Sequence, residues 1–186
     1  MTAGLALAPL AADEAQRWAL PGERVAWLRP LRHEDVCAEQ RFFNGLSLDS
    51  RHQRFHVGLR ELSPALLKLL TDVDQHLHRA WVVEADTPGR PVIADARFVC
   101  DPDQPATAEF ALAVADDWQG RGLGRRLMAH LIADARRHGV QRLYGDVLAG
   151  NRRMLALMRE FGARLQAHPD GAQLVRGTLA LNKVRH

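Results

Sequence analysis

At 186 residues, with 47% apolar and 25% charged side chains, the chain has the make-up of one folded domain with material for a buried core, which excludes disorder, collagen and fibre. The net charge of +3 is spread thinly, with arginines grouped only at Arg121, Arg125 and Arg126 and at Arg152 and Arg153, so a nucleic-acid partner is not expected. The two cysteines, Cys37 and Cys100, form neither a CxxC pair nor a disulfide framework, which points to a reducing compartment, and core packing is the reading for both.

Residues 1–22 are rich in Ala and Leu and end at Pro21-Gly22, so they read as an N-terminal extension on a domain spanning 23–186. Their apolar run lacks a basic flank and meets Asp13 and Glu14, unlike a signal peptide. No stretch approaches the roughly 18 apolar residues that a membrane span needs, and the expected location is the cytoplasm. Val25–Leu31 is a short strand, and 33–44 carries a helical pattern. Ser47 caps a helix running toward Phe55, and Ser63-Pro64 opens a third helix over 65–70. The period then changes to that of strands at 79–85, 91–100 and 107–115, separated by Pro- and Asp-rich turns. Apolar residues at 123, 127, 128, 131, 132 and 135 mark a helix that Gly139 ends. A strand at 140–148, a helix at 151–161 ended by Gly162, and a strand at 173–181 complete the chain. The sum is an α/β (α+β) domain with early helices, a β-meander, and then β-α-β-α-β.

The strongest chemical signal is the loop Gln119-Gly120-Arg121-Gly122-Leu123-Gly124, between the strand 107–115 and a helix start. Glycines let main-chain N–H groups approach a ligand closely, and a helix N-terminus adds unpaired donors and a positive partial charge. Such a place suits phosphate, and Arg125 and Arg126 add charge-assisted donors. The loop lacks the Gly-Lys-Ser/Thr ending of a Walker loop. It also misses the third glycine of a dinucleotide fingerprint, where Arg125 stands, although Asp146 falls at a suggestive distance.

Gln119-x-x-Gly122-x-Gly124 resembles the Gln/Arg-x-x-Gly-x-Gly/Ala signature of the GNAT acetyltransferase superfamily. Asn151-Arg152-Arg153-Met154-Leu155 followed by Phe161-Gly162-Ala163 is similar to that family's second cofactor segment. Within the superfamily, Arg29–Asp35, Ser50–Phe55, Ala108–Ala111 and Trp118–Gly124 look most like the catalytic domain of Pat-type bacterial protein lysine acetyltransferases. The resemblance implies a mixed, mostly antiparallel twisted sheet of six to seven strands flanked by four to five helices, with two strands splayed near Val114. It implies acetyl-CoA as co-substrate and an amine as acceptor. Leu112, Ala113 and Val114 would hold the pantetheine arm through the main chain. The amides of Gln119, Gly120, Arg121, Gly122, Leu123 and Gly124 would hold the pyrophosphate with Arg125, and Asn151 and Arg153 would lie near the pantetheine and the nucleotide.

Along 107–115, Phe110, Leu112 and Val114 share one face, while Glu109, Ala111, Ala113 and Ala115 share the other. The bulky face belongs to the core, and the alanine row reads as room for an extended arm. An amine with a pKa near 10.4 is neutral in only about one molecule in 10³ at pH 7, so transfer asks for a base. Glu109, a carboxylate in a partly desolvated cleft, is the candidate. A tyrosine is the usual acid of this family seven residues after the helix-opening asparagine, but here the position is Met158. The single tyrosine, Tyr144, reads as a packing residue, and the leaving thiolate is left to main-chain N–H groups or water.

His76-Leu77-His78 lacks a third ligand, so no metal is expected. Trp118 reads as packing under the cofactor turn, Trp27 and Trp81 as core or rim, and Glu34 and Asp35 as acids at a helix start. Three functions stay open: acetyl transfer to a protein lysine, acetyl transfer to a small amine (polyamine, amino acid or antibiotic), and non-catalytic acyl-CoA sensing. A homodimer is also left open.

Overall fold

The computed structural model describes residues 15–181. One eight-stranded sheet runs in the order β1-β2-β3-β4-β5-β6-β8-β7. Its strands are β1 (Gln16–Leu20), β2 (Arg24–Pro30), β3 (His78–Ala85), β4 (Val92–Cys100), β5 (Thr107–Val114), β6 (Arg142–Leu148), β7 (Arg164–His168) and β8 (Gly171–Ala180). Every neighbouring pair is antiparallel except β5 with β6. Five α-helices flank it: α1 (Val36–Gly45), α2 (Leu48–Phe55), α3 (Pro64–Thr71), α4 (Leu123–Arg137) and α5 (Arg152–Glu160). The mixed, mostly antiparallel sheet and the five helices are as expected, and the strands exceed the expected number. Among the described residues no helix is long and apolar enough to cross a membrane.

The two additional strands are β1 and β7. The first lies inside the segment read as an extension: Gln16–Leu20 pairs with Arg24–Leu28 as the sheet's edge, and Trp18 and Leu20 enter the core. Residues 1–14 of that segment lie outside the described residues. β7 is only five residues long and buries no side chain fully, so its brief Leu165–Ala167 alternation is a weak signal, and its ladder to β8 makes it a strand.

The central strands are covered on both faces, as their near-continuous apolar runs require. Trp81, Val83 and Phe98 pack with Leu127, Met128 and Leu131 of α4 and Met158 of α5. The alternating residues Ala80 and Val82 face the other way, onto Leu31, Phe42 and Leu46. Helices α4 and α5 therefore lie on one face, and α1 on the other. Local signals set the helix starts: the Ser47 side chain accepts from the Ser50 amide, Ser63 accepts from Leu66, and Pro64 occupies the first turn of α3.

One irregularity of the sheet positions the site. β5 and β6 pair only from Thr107–Arg142 to Glu109–Tyr144, and beyond those residues the two strands run on without pairing. A wedge-shaped gap opens in the plane of the sheet.

Candidate active site

The gap forms a cleft of about 540 Å³. Its walls are β5 from Glu109 to Val114, β6 from Gly145 to Val147, the end of α2, the glycine loop and the start of α5. The ladder shows which main-chain groups face it. The Ala115 amide donates to Ile93, so in the β4–β5 register Ala113 and Ala111 also exchange bonds with β4. Leu112 and Val114, of opposite parity, direct their N–H and C=O groups into the gap, where β6 has already turned away. The Val114 carbonyl is taken by Gln119, and the two N–H groups with the Leu112 carbonyl are left to an extended ligand.

At the wide end, the chain passes through a short turn at Asp116–Trp118 into Gln119 and on to α4. Gly122 precedes the helix at φ 83°, a left-handed conformation that side chains rarely adopt. No side chain caps α4, so its first-turn N–H groups are unpaired toward the loop. Gln119 braces this region: its Nε2 donates to the Val114 carbonyl at 3.1 Å, and its Oε1 accepts from Arg153 Nη1 at 3.0 Å. The Asp116 carboxylate accepts from the Ser47 amide (2.9 Å) and from both Ser47 and Ser50 hydroxyls (2.8 Å each), which ties α2 to the loop.

Most of the residues anticipated from sequence meet at this cleft. Glu109, Leu112, Ala113, Val114, Gln119, Gly120, Leu123, Gly124, Asn151 and Arg153 all line it. Arg121, Gly122 and Arg125 are not on the wall. Arg121 donates to the Asp117 carbonyl, and Arg125 pairs with Glu160 on the exposed surface. The Asn151 side chain is committed to the helix, where its Oδ1 accepts from the Met154 amide at 3.1 Å. Trp118 lines the cleft, with the Arg24 guanidinium 5.2 Å above its ring.

Other readings change. The alanine face of β5 is not an open trough, because Ala113 is buried against Phe42 and Leu46. The space lies along the strand's edge instead. Cys100 is buried as expected, but Cys37 is exposed and has no packing role of that kind. Asp35 does more than face a helix start, since Arg29 grips both its oxygens at 2.7 and 2.8 Å. Met158 is fully buried in the core, so the family's usual acid position does not reach the cleft.

Glu109 is exposed at the narrow end, just where β5 and β6 separate. Partial burial, then the neighbouring Asp146 charge, push its carboxyl above the usual range, against the pull of Arg176 and Arg54. Asp146 is locked: Arg176 donates to both its oxygens at 2.7 Å, and His168 Nε2 lies 3.1 Å away. Tyr144 sits under the Arg176 guanidinium at 4.8 Å, off the cleft wall, and burial raises its phenol, as does Glu109. His56 was missed from sequence. It follows Phe55 at the end of α2 with φ 60° and lines the cleft. Desolvation lowers its pKa, while Asp146 pulls it upward. The signal was its place directly after the Ser50–Phe55 segment that carried part of the resemblance.

A nucleotide-sized cleft with unpaired strand amides, a glycine-led helix start and a carboxylate at its end defines a class. The chain belongs to the acetyltransferase (GNAT) family, whose model matches residues 47–163, and it is an acetyl-CoA-dependent N-acyltransferase. Within that family it is Pat-like. It is 40% identical over 176 residues to the acetyltransferase PA5475 of Pseudomonas aeruginosa, covering 92% of this chain and 93% of that one. It is 41% identical over 140 residues to the acetyltransferase Pat of Mycolicibacterium smegmatis, covering 74% of this chain but only 40% of that longer protein. In structure it is similar to the GNAT domain of S. lividans PAT, with a TM-score of 0.80 and 24% identity over 89% of this chain and 96% of that one. A Salmonella typhimurium acetyltransferase solved with acetyl-CoA shares the fold, with a TM-score of 0.65 and 21% identity over 85% and 95% of the two chains.

Proposed function

We propose that the protein moves an acetyl group from acetyl-CoA to a primary amine, with Glu109 as general base and a protein lysine as the first acceptor to consider. One observation carries this reading: the unpaired amides of Leu112 and Val114 lead from the uncapped start of α4 to the Glu109 carboxylate along a single continuous gap. The residues fit the cofactor. Main-chain donors of the loop and α4 would receive the diphosphate, Leu112 and Val114 would bond an amide-bearing arm, and Arg153 adds positive charge beside Gln119. The group supplies an activated thioester when bound. The chain's task is then to orient the amine and take its proton.

Glu109 is suited to that task. Its raised pKa makes it a stronger base than a free carboxylate. Its charge also attracts an ammonium to the point where the strands part. Glu109→Gln should cut acetyl-CoA thiol release in the presence of amines by about 10²-fold or more, with acetyl-CoA affinity by calorimetry unchanged. An unaltered rate in that variant rejects Glu109 as the base. A small-amine acceptor is the second enzymatic reading. Acyl-CoA sensing is a third, kept alive by the burial of Met158. Binding of acetyl-CoA by the wild type without thiol release from any amine would select the sensor.

A further inference from the structure

Acetylation of an ammonium moves two protons off nitrogen and one onto sulfur. One leaves before attack, the second leaves the tetrahedral adduct, and the departing thiolate needs one as the C–S bond breaks. Glu109 accounts for the first. The side chains on the cleft wall narrow the choice for the others. Asp146 is held by Arg176 and His168, and Arg54 and Arg153 keep their protons. Tyr144 is off the wall, and Met158 is buried and has no proton to give. His56 remains.

We propose that His56 is the proton shuttle of this site: it takes the second proton from the adduct nitrogen and delivers it to the leaving thiolate. Its placement supports this. It follows Phe55 at the end of α2 in a left-handed conformation and lines the cleft together with Asp146. The charged and titratable groups around it are Asp146 on β6, Glu109 on β5, and Arg54 and His52 on its own helix. Burial, with Arg54 and His52, outweighs Asp146, so the ring is neutral near pH 7 and free to accept.

The step balances. Glu109 removes one proton from the ammonium, and the free amine forms the N–C bond. His56 becomes imidazolium by taking the second proton, the C–S bond breaks, and the imidazolium protonates the sulfur. The Glu109 proton passes to water, which returns both residues to their starting states.

The inference rests on the Glu109 reading, and the test separates the two. His56→Asn and His56→Gly both tolerate the left-handed backbone, so the fold is preserved. Thiol release would be followed with acetyl-CoA and three amine probes: Nα-acetyl-lysinamide, a lysine-bearing tetrapeptide and spermidine. We expect kcat to fall about 10²-fold in His56→Asn with acetyl-CoA affinity unchanged, and the acid limb of kcat, set in the wild type by both Glu109 and His56, to reduce to a single ionisation. Added imidazole should restore His56→Gly at least about tenfold. An acid limb of unchanged shape in His56→Asn, or no rescue by imidazole, overturns the shuttle while leaving Glu109 as base. A wild type that releases no thiol with any of the three amines overturns both.

Discussion

Glu39 is 3% exposed on α1, wedged among Asp95, Arg97 and Arg54, with its Oε1 lacking a hydrogen-bond partner among the described residues. Desolvation foremost, then the Asp95 charge, push its pKa from 4.5 up to about 8, although Arg97 and Arg54 oppose this. A carboxyl raised in the folded state binds its proton more tightly there than in the unfolded chain. The associated stability is full below pH 4.5 and is lost as pH rises through about 8. Glu39→Gln copies the protonated form at all pH values. It should leave Tm nearly unchanged at pH 5 and raise it at pH 9 by several degrees, on the scale of roughly 2–4 °C per kcal/mol for a domain of this size. Thermal denaturation of both proteins at the two pH values checks the sign, and a variant that is less stable at pH 9 contradicts it.

At the scale of elements, the gap between β5 and β6 is wedged by one pair. Gly145, the first residue of β6 past the paired segment, faces the Phe110 ring of β5, and a Cβ at that position would stand 2.8 Å from Phe110 Cε1. The ring is buried and rigid, so it must tilt away from any added methyl. Gly145→Ala should therefore cost about 1–3 kcal/mol of stability and push Phe110 into the cleft, weakening acetyl-CoA binding. Denaturant melts and calorimetry test the two effects together, and a variant with both unchanged would show that the gap does not depend on this contact. The same pair shows why some elements were legible in the sequence and others were not. Ser47, Ser63-Pro64 and Asn151 announce helices through local capping that needs no distant partner. The edge strands β1 and β7 are only five residues each, too short for their alternation to stand out from the flanking segments. The alternation of β5 separated its faces, with Phe110 in the core and Glu109 exposed, but the alanine face read as open room buries Ala113 instead. Periodicity reports faces and not edges, however, and the opening is an edge set by where β6 diverges. That is also why His56, brought in by α2 packing across β5, escaped notice.

For the whole molecule, the short β5–β6 pairing leaves two blocks of sheet, β1 to β5 and β6-β8-β7, joined in the ladder at only one end. A ligand lying in the gap contacts both blocks and satisfies strand groups that the chain itself leaves open. Binding to the folded state alone stabilises it by about 2.7 kcal/mol at a hundredfold excess over Kd. At about 2–4 °C per kcal/mol, acetyl-CoA should then raise Tm by roughly 5–11 °C. Heat stability alone does not say where the ligand lies, but amide hydrogen exchange does. The N–H groups of Leu112 and Val114, which face the gap, should gain protection on adding acetyl-CoA. Those of Ala111 and Ala113, already bonded to β4, should change little. Equal protection along all four residues would mean general tightening of the sheet, and protection absent from Leu112 and Val114 would place the arm of the cofactor somewhere other than this gap.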